Sequence, residues 1–249
     1  MNLSGKNVIV TGGVRGLGRA IVNKLVGKGA LITVFDLDKV GLTNLHEDQP
    51  EVNCLLCDIS DYEQVVKATD TYHEEHGSAT VLINNAGILH SEPLLRLTQT
   101  GLERHQVASW NRVLAADLSS VFFMTACVVE KMVSSRTKGV VVNISSVSAA
   151  GNVGQSAYSA AKAGVNALTA VWAKELGPMG IRSIAVAPGF TETESTKRAV
   201  SEAVLSETVK RVPLRRLAKP DEIAQGVISV IENDFFNGKV FQLDGGLIL

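Results

Sequence analysis

The sequence has little cysteine, few aromatic residues and almost no net charge. Its 249 residues include three cysteines and 5% aromatic residues, and the formal net charge is −1. It has neither a long basic block nor a long acidic block, so composition favours neither nucleic acid nor an anionic membrane as a partner. No apolar run approaches the length of a membrane span, and the first residues lack a signal-peptide pattern, which predicts a cytoplasmic protein.

The cysteines point to buried thiols and to no metal centre. Cys54 and Cys57 form a C-x-x-C pair, but the pair lies in the apolar run VNCLLCDI. Redox and metal-binding pairs need a turn or a helix start that exposes both sulfurs. No second pair is present to complete a zinc site. We therefore predict free thiols buried in a strand, and no metal.

Short apolar runs alternate with segments of helical periodicity along the chain. Continuous apolar strands between helices indicate a parallel sheet that is covered on both faces. Seven such runs fill the chain to its end, which predicts a single doubly wound α/β domain over residues 1–249. The predicted strands are NVIVT (7–11), LITVFD (31–36), VNCLLCD (52–58), ATVLINN (79–85), GVVVNIS (139–145), RSIAVAP (182–188) and KVFQLDG (239–245).

A glycine-rich turn follows the first predicted strand. The segment TGGVRGLG, residues 11–18, joins that strand to a helix opening with GRAIV. In this setting glycines let the backbone approach a pyrophosphate at a helix N-terminus. We assign Gly12 to the turn, Gly16 to the close approach and Gly18 to packing of the helix against the strand. The segment therefore predicts a dinucleotide site.

The second predicted strand ends in an acidic residue that bears on the choice of cofactor. Asp36 can accept hydrogen bonds from an adenosine ribose. The same carboxylate would repel a 2′-phosphate, whereas the guanidinium of Arg15 could hold one. We give more weight to Asp36, because repulsion at close range is hard to escape while an arginine can swing into solvent. The expected cofactor is NAD(H), with NADP(H) as the alternative.

Two further predicted strands end in polar or small residues. The third closes in Asp58 and Ile59, and the fourth continues into Asn85, Ala86 and Gly87. The small residues there let a flat ring lie against the backbone. Because ligands of open parallel sheets bind at the carboxyl ends of the strands, these residues are candidates for cofactor contacts.

A tyrosine and a lysine lie four residues apart in SAYSAAK, residues 156–162. Tyr158 and Lys162 therefore lie on one face of a helix. An ordinary tyrosine, with a pKa of about 10, is a poor acid–base catalyst at neutral pH, but a nearby ammonium lowers that pKa. Ser146 follows the fifth predicted strand and can polarise a carbonyl or alcohol; Ser145 is the weaker candidate. Lys162 could also hold the nicotinamide ribose.

The chain resembles the short-chain dehydrogenase/reductase family over essentially its whole length. The resemblance rests on TGGVRGLG, NNAG, Ser146, YSAAK and Pro188-Gly189, in this order. It implies a Rossmann-like domain with Tyr158 as acid/base, Lys162 as its partner and Ser146 as substrate orienter. It also implies that Thr191 and Thr193 contact the carboxamide end of the nicotinamide. The candidate cofactor-binding residues are Gly12, Arg15, Gly16, Leu17, Gly18, Asp36, Asp58, Ile59, Asn85, Ala86, Gly87, Tyr158, Lys162, Pro188, Gly189, Thr191 and Thr193.

One residue departs from the family pattern near the proposed chemistry. The segment WNRVLAADLSSVFF carries Asp117 where the family usually has an asparagine that anchors a water in a proton relay from the lysine to solvent. An ionised aspartate accepts the same hydrogen bonds but cannot donate them, and it adds a negative charge near Lys162. We count Asp117 among the catalytic candidates and expect a working but retuned relay.

Two segments are expected to shape the substrate site. Residues 88–109 look like an extended loop beside the cleft, and residues 189–214 look like a lid. The first, with the C-terminal segment, resembles the branch of NAD-dependent 3-hydroxyacyl-CoA dehydrogenases. The lid offers apolar side chains and two cations that could meet a phosphate-bearing carrier, although an ordinary solvated helix explains them equally well. These residues are Phe190, Val200, Val204, Leu205, Lys197 and Arg198.

Three functions remain open on the sequence alone. The first is an NAD(H)-dependent oxidoreductase that interconverts a secondary alcohol and a ketone. The second is a carrier-linked 3-oxoacyl reductase that uses NADPH, which only Arg15 supports. The third is a non-catalytic NAD(H)-binding sensor, which Asp117 suggests and the Ser146, Tyr158 and Lys162 set disfavours. Family resemblance and the apolar segment SVFFMTACVVEKM also predict a homotetramer.

Overall fold

The computed structural model describes residues 1–99, 101–200 and 202–247. Its centre is a parallel sheet of seven strands, in the order β3-β2-β1-β4-β7-β8-β9. This arrangement confirms the predicted Rossmann-like α/β fold. The strands are β1 (Asn7–Thr11), β2 (Leu31–Asp36), β3 (Asn53–Leu56), β4 (Val81–Asn84), β5 (Leu95–Thr98), β6 (Gly101–Arg104), β7 (Gly139–Ile144), β8 (Ile181–Pro188) and β9 (Val240–Leu243).

Helices cover both faces of the sheet. A π-helical turn, Ala115–Ser119, joins α4 to α5, and short 3₁₀ turns cover Val147–Ala150 and Gly177–Met179. The α-helices are α1 (Gly16–Val26), α2 (Lys39–Asp48), α3 (Tyr62–His76), α4 (Val107–Leu114), α5 (Ser120–Ser134), α6 (Ser156–Leu176), α7 (Glu194–Ala199), α8 (Glu202–Arg211) and α9 (Pro220–Glu232).

Alternate residues of a central strand face opposite sides of the sheet. In β1, Val8 and Val10 belong to the core beneath α1 and α9, whereas Ile9 belongs to the core beneath α3 and α5. All residues of β4 and β7 are buried. Because neither face meets water, apolar runs rather than polar–apolar alternation mark these strands in the sequence. Polar side chains are therefore concentrated at the strand ends, where the candidate site lies.

The segment 88–109 is more regular than the extended loop expected from the sequence. Its strands β5 and β6 form an antiparallel hairpin in which Leu97 pairs with Leu102, and α4 begins at Val107. Leu95, Leu97 and Leu102 are exposed, so the hairpin has no apolar core of its own. The sequence did not reveal the hairpin, because a polar–apolar alternation over only four residues does not distinguish a strand from a loop. Only the pairing of β5 with β6 defines the two strands.

One continuous helical stretch meets the length and composition criteria for a membrane span. Residues Val107–Ser134 reach a mean hydropathy of 1.7 over an 18-residue window, but half of that window is buried inside the fold. Val113, Met124 and Met132 of this stretch are fully buried. The core helix of a globular domain passes the same criteria, so this stretch does not indicate a membrane. It does correct the expectation from the sequence that no apolar run approaches the length of a membrane span.

The cysteines are free, with Cys57 and Cys127 buried and Cys54 half-buried. Burial raises the pKa of the Cys57 thiol to about 11, with help from Asp58 and Asp61. A thiol of such high pKa is a poor nucleophile and metal ligand at neutral pH. Within residues 1–99, 101–200 and 202–247, no group of three or more His, Cys, Asp or Glu residues could hold a metal ion.

Candidate functional site

The candidate site lies at the carboxyl ends of the sheet strands, where the strand order reverses between β1 and β4. A cavity of about 730 Å³ opens there. All of the catalytic and cofactor-binding residues proposed from the sequence line it, which brings together segments that are far apart in the chain. They are Gly12, Arg15, Gly16, Leu17, Gly18, Asp36, Asp58, Ile59, Asn85, Ala86, Gly87, Asp117, Ser146, Tyr158, Lys162, Pro188, Gly189, Thr191 and Thr193.

The glycine-rich loop is held close to the loop that follows β4. Gly12 has a φ of 67°, and a β-carbon there would stand 2.8 Å from the Cα of Ala86. A β-carbon on Gly18 would collide with the carbonyl oxygen of Gly12. Glycine at both positions therefore lets two backbone segments form one wall of the cavity, where a ligand can approach the main chain.

The N-terminus of α1 suits an anionic ligand. Among the described residues, the N-cap residue of α1, Arg15, makes no side-chain capping hydrogen bond, whereas Asp38 caps α2 and Asp61 caps α3. Uncapped amides at a helix N-terminus, together with the helix dipole, form a site for phosphate. The uncapped helix and the glycine loop fit the pyrophosphate of a dinucleotide, and they are the residues that would hold it.

Carboxylates surround the place where the adenosine ribose would bind. The Asp36 carboxylate, at the end of β2, accepts the backbone N–H groups of Val14 at 3.3 Å and Asp38 at 3.0 Å. The Arg15 guanidinium lies 3.4 Å from the carboxylate of Asp38 and is largely exposed. The only arginine proposed for a 2′-phosphate is therefore already paired, and it stands beside two negative charges.

Some of the proposed cofactor contacts also organise the protein itself. The Asn85 side chain donates to the carbonyl oxygens of Thr11 and Gly12 at 3.0 and 2.9 Å. The Thr11 hydroxyl accepts the N–H groups of Asn85 and Ala86. Asn85 thus ties the first loop to the loop after β4. On the opposite rim, the Asp58 carboxylate accepts the backbone N–H and the hydroxyl of Ser60.

The segment after β8 forms the far wall of the cavity. Gly189 donates its N–H to the Leu243 carbonyl at 2.8 Å. The Thr191 hydroxyl donates to the Gly189 carbonyl at 3.1 Å, and the Thr193 hydroxyl caps α7 by accepting the Thr196 N–H at 3.2 Å. Both threonines line the cavity with hydroxyls that already have protein partners. Their contact with a nicotinamide carboxamide stays a prediction.

Tyr158, Lys162 and Ser146 converge at the chemical end of the cavity. Lys162 lies one turn after Tyr158 on α6, with its Nζ atom 5.6 Å from the centroid of the tyrosine ring. The Ser146 hydroxyl is near enough to Tyr158 for their hydrogen bond to affect the phenol. The Ser145 hydroxyl instead donates to the Lys162 carbonyl at 3.4 Å. Both serines line the cavity, and contact of Ser146 with a substrate stays a prediction.

Asp117 lies against the lysine, in the π-helical turn between α4 and α5. Its Oδ2 atom is 3.3 Å from Lys162 Nζ, and its Oδ1 atom accepts the Ile88 N–H at 2.8 Å. Lys162 Nζ also donates to the Ile144 carbonyl at 3.0 Å. Both charged side chains are buried. π-Helical turns inside α-helices occur frequently at functional sites, and here the turn carries a buried charge.

The proton affinities of these groups depend on one another. Burial raises the pKa of the Tyr158 phenol; Lys162 and the Ser146 hydrogen bond oppose the rise, and Asp117 adds to it. Burial alone would lower the pKa of Lys162, but the charges of Asp117 and Tyr158 raise it. Burial raises the pKa of Asp117 against the opposing effect of Lys162. Burial and the charge of Asp117 therefore favour the protonated form of the Tyr158 phenol.

Sequence reasoning missed Gln155, which lines the cavity one turn before Tyr158. Its side chain is buried, donates to the Ser91 hydroxyl at 3.2 Å and accepts from Asn152 at 3.1 Å. The signal was available, because a residue three before Tyr158 lies on the same helical face.

Sequence reasoning also missed Glu92, which joins the β5–β6 hairpin to the start of α6. Its carboxylate accepts the Gln106 N–H at 2.7 Å and lies 3.0 Å from His90 Nε2, and its own N–H donates to the Gly154 carbonyl. The hydrogen bonds from His90 and Gln106 hold the pKa of Glu92 at about 2. No local pattern marks this role, because Gly154 is remote in the chain.

The segment 189–214, proposed as a lid, contains α7 and α8. Phe190 packs against Val147, Val212 and Leu247 beside the chemical end of the cavity. Val200 is buried, whereas Val204 is 52% exposed. Lys197 and Arg198 are exposed, and Arg198 pairs with Glu194 at 3.3 Å. Arg198 therefore already has an anionic partner, and closure of this segment over a substrate stays a prediction.

Comparison with known proteins gives a consistent result. The pattern of the family described as short chain dehydrogenase matches residues 6–203. The 3-oxoacyl-(acyl-carrier-protein) reductase FabG of Thermotoga maritima is 34% identical over 256 residues, and the match covers 100% of both chains. The reductase of the same name from Vibrio harveyi is 34% identical over 253 residues, again with 100% of both chains covered.

A solved structure supports the same relationship. The crystal structure of gox2181 superimposes with a TM-score of 0.89 at 29% sequence identity. The match covers 98% of this chain and 96% of that chain. Both the sequence and the arrangement of the elements are therefore similar to these proteins from end to end.

Proposed function

The chain belongs to the short chain dehydrogenase family, and we propose that it is an NAD(H)-dependent oxidoreductase that interconverts a secondary alcohol and a ketone. Action of an oxidoreductase on a CH–OH group follows from the family. The observation that carries the finer proposal is the convergence of Tyr158, Lys162 and Ser146 on the cavity whose other end holds Asp36.

The proposed chemistry assigns the proton to Tyr158. A bound nicotinamide cofactor would supply or accept the hydride. Ser146 donates a hydrogen bond to the substrate oxygen and orients it toward Tyr158. In the reductive direction the Tyr158 hydroxyl gives its proton to that oxygen, and in the oxidative direction the phenolate takes the proton back. Lys162 supplies the positive charge that makes the phenolate accessible.

Preference for NAD(H) over NADP(H) rests on the carboxylates at the adenosine end. A 2′-phosphate would meet Asp36 directly, and the paired Arg15 would have to leave Asp38 to neutralise it. Asp36 has two backbone donors that hold it in place, so it cannot turn away without losing them. The competing proposal is NADPH-dependent reduction of a carrier-linked 3-oxoacyl group. It requires that attraction of the 2′-phosphate by Arg15 exceed its repulsion by Asp36 and Asp38.

The substrate class we favour is a 3-hydroxyacyl or 3-oxoacyl thioester. Two relatives that match the whole chain are named for reduction of a 3-oxoacyl group on a carrier protein. The 3-oxo carbonyl of such a group is a ketone of the kind that the site can protonate. A small hydroxy ketone could bind to the same three residues, Tyr158, Lys162 and Ser146. The thioester is the more specific of the two assignments.

A direct assay tests this function. The purified protein is mixed with NADH or NADPH and with acetoacetyl-CoA, a small diketone or a quinone, and oxidation of the cofactor is followed by absorbance. We expect turnover of acetoacetyl-CoA with NADH and tighter binding of NADH than of NADPH. Tighter binding of NADPH would refute the cofactor assignment. NADH binding without turnover of any ketone would favour a sensor.

The assembly and location predictions extend the proposal. On α5, Phe122 and Val133 are 48% and 40% exposed, which leaves apolar surface for a partner subunit. We expect a homotetramer in the cytoplasm acting on a small molecule, with no nucleic acid or membrane partner. Light scattering at micromolar concentration checks the assembly, and a monomer would contradict it.

A further inference from the structure

The carboxylate of Asp117 is balanced by the same lysine that serves Tyr158. Asp117 Oδ2 is 3.3 Å from Lys162 Nζ. Within the part of the chain that the structure describes, Oδ2 has no aligned hydrogen bond. The other oxygen, Oδ1, is held by the Ile88 N–H. A fully buried carboxylate is costly unless it is paired, and Lys162 opposes the rise in pKa that burial causes at Asp117.

The carboxylate cannot turn away from the lysine. Gly87 packs directly against it, and a β-carbon on Gly87 would lie 2.9 Å from Asp117 Oδ2. The Ile88 N–H fixes the other oxygen on the same side. Lys162 is held as well, because its Nζ atom donates to the Ile144 carbonyl. The two charges are therefore locked together inside the protein.

This pairing reduces the positive charge that acts on Tyr158. An ammonium beside a tyrosine favours the phenolate, and a carboxylate disfavours it. The Lys162 ammonium is 5.6 Å from the centroid of the tyrosine ring but only 3.3 Å from the Asp117 carboxylate. At the phenol, the charge of Asp117 therefore opposes the effect of Lys162.

We propose that Asp117 is a positioning residue that, by pairing with Lys162, keeps Tyr158 protonated at neutral pH and so tunes the site for carbonyl reduction rather than alcohol oxidation. This inference rests on the proposed function. In reduction, the Tyr158 O–H bond breaks as an O–H bond forms on the substrate oxygen, and a bound reduced cofactor would supply the hydride for the new C–H bond. The phenolate regains its proton from solvent. Oxidation requires the phenolate at the start, and hence a higher pH.

Among the charged residues around Tyr158, Asp117 is the one whose substitution tests the proposal. Lys162 faces the phenol from α6, Asp117 faces it from the π-helical turn, and Ser146 adds an uncharged hydroxyl. Arg112, on α4, also lines the cavity, but its guanidinium lies 3.5 Å from the ring nitrogen Nδ1 of His90. The remaining charged residues that line the cavity are at the nucleotide end: Arg15, Asp36 and Asp58.

A titration without substrate tests the proposal. Tyrosinate absorbance is followed against pH in the parent, in Asp117→Asn, and in both backgrounds with Tyr158→Phe added, so that subtraction isolates Tyr158 from the other two tyrosines. We expect the Tyr158 step to move to lower pH in Asp117→Asn by about one unit or more, because a nearby charge is removed. An unchanged step, or one at higher pH, would overturn the proposal.

A matched control removes an aspartate–lysine pair outside the site. Asp70 lies 2.7 Å from Lys131 on α5 and is half exposed, so Asp70→Asn should leave the Tyr158 step where it is. A shift of equal size in Asp70→Asn would overturn the assignment to Asp117. The parent protein provides a further check, which can be made even if the Asp117 variant does not fold. A Tyr158 step at or below neutral pH in the parent would contradict the proposal.

Turnover provides the second measurement. The pH at which kcat for alcohol oxidation reaches half its plateau should fall in Asp117→Asn by the same amount as the tyrosinate step. An unmoved oxidative profile would contradict the proposal. Should no ketone or alcohol be turned over at all, the proposed function fails, while the tyrosinate titration still decides the role of Asp117.

Discussion

The two ends of the cavity use charge in different ways. At the nucleotide end, Asp36 and Asp38 are half-buried, and Arg15 is largely exposed. Such charges attract or repel a ligand, but solvent and salt screen them. At the chemical end, Asp117 and Lys162 are buried and lie 3.3 Å apart as an ion pair. A change there alters both proton affinity and stability.

The comparison teaches which variants separate function from folding. Substitutions at the nucleotide end should change which cofactor binds, and leave the protein intact. Substitutions at the chemical end should change turnover, and one that leaves a charge unpaired should also weaken the fold. Four experiments, from the largest expected effect to the smallest, test this division.

The largest effect is expected for Tyr158→Phe. Loss of one oxygen should reduce kcat by about 10²–10⁴-fold, because the substitution removes the acid–base group and keeps the ring. NADH affinity should change little. Tyr72→Phe is the matched control, since the Tyr72 hydroxyl is buried without a partner in the described residues and lies outside the cavity. Substantial turnover by Tyr158→Phe at every pH would refute the mechanism.

Lys162→Met should affect both turnover and stability. It leaves Asp117 buried without its counter-charge, which typically costs about 3–5 kcal/mol in the free energy of unfolding. Denaturant unfolding measures the loss, and NADH titration should show weaker binding. The double variant Lys162→Met with Asp117→Asn should regain most of the stability but not the turnover. Equal stability of the single and double variants would show that the loss of stability does not come from an unpaired charge on Asp117.

Asp36→Ala should change the cofactor preference without a comparable loss of stability. Removal of the carboxylate ends its repulsion of a 2′-phosphate and frees the site for Arg15. We expect the ratio of NADPH to NADH affinity to rise about tenfold, a change equivalent to about 1.4 kcal/mol. Adding Arg15→Ala should reverse most of the gain. A preference that is unaltered in Asp36→Ala would place the discrimination elsewhere.

The smallest effect is expected at the base of the hairpin. Glu92→Gln removes the negative charge of the carboxylate that is bonded to His90 and to the Gln106 N–H. Amide hydrogen exchange in residues 90–106 should therefore become faster. The control, Glu103→Gln on the same hairpin, should have a smaller effect. The lowered pKa of Glu92 stabilises the fold above the unfolded value of about 4.3. That contribution is lost as pH falls toward about 2. Parent protection should therefore decline through this window, and the decline should be smaller in Glu92→Gln.

Much of the nucleotide end could be predicted without coordinates. Asp36 and the glycine-rich loop each follow a strand that is visible as an apolar run, and parallel strands bring their carboxyl ends to one edge. The same rule placed Ser146, and the helical repeat placed Lys162 beside Tyr158. These inferences depend only on local periodicity and on one topological rule.

Tertiary packing decided how the chemical end is tuned. Asp117 was visible as a departure from a pattern, but its burial and its 3.3 Å approach to Lys162 follow from the packing of two helices. The bond from Glu92 to Gly154 and the pairing of β5 with β6 likewise join segments that no local pattern connects.

The sequence by itself determined the seven strands of the parallel sheet and the candidate site residues at their ends. Periodicity and strand-end placement are properties of a contiguous chain, so one sequence is enough to reveal them. The tertiary structure alone decided which charges lose their water and which partner each one meets. Burial and distance between remote residues set the energy of a charge, and only the packed structure defines them.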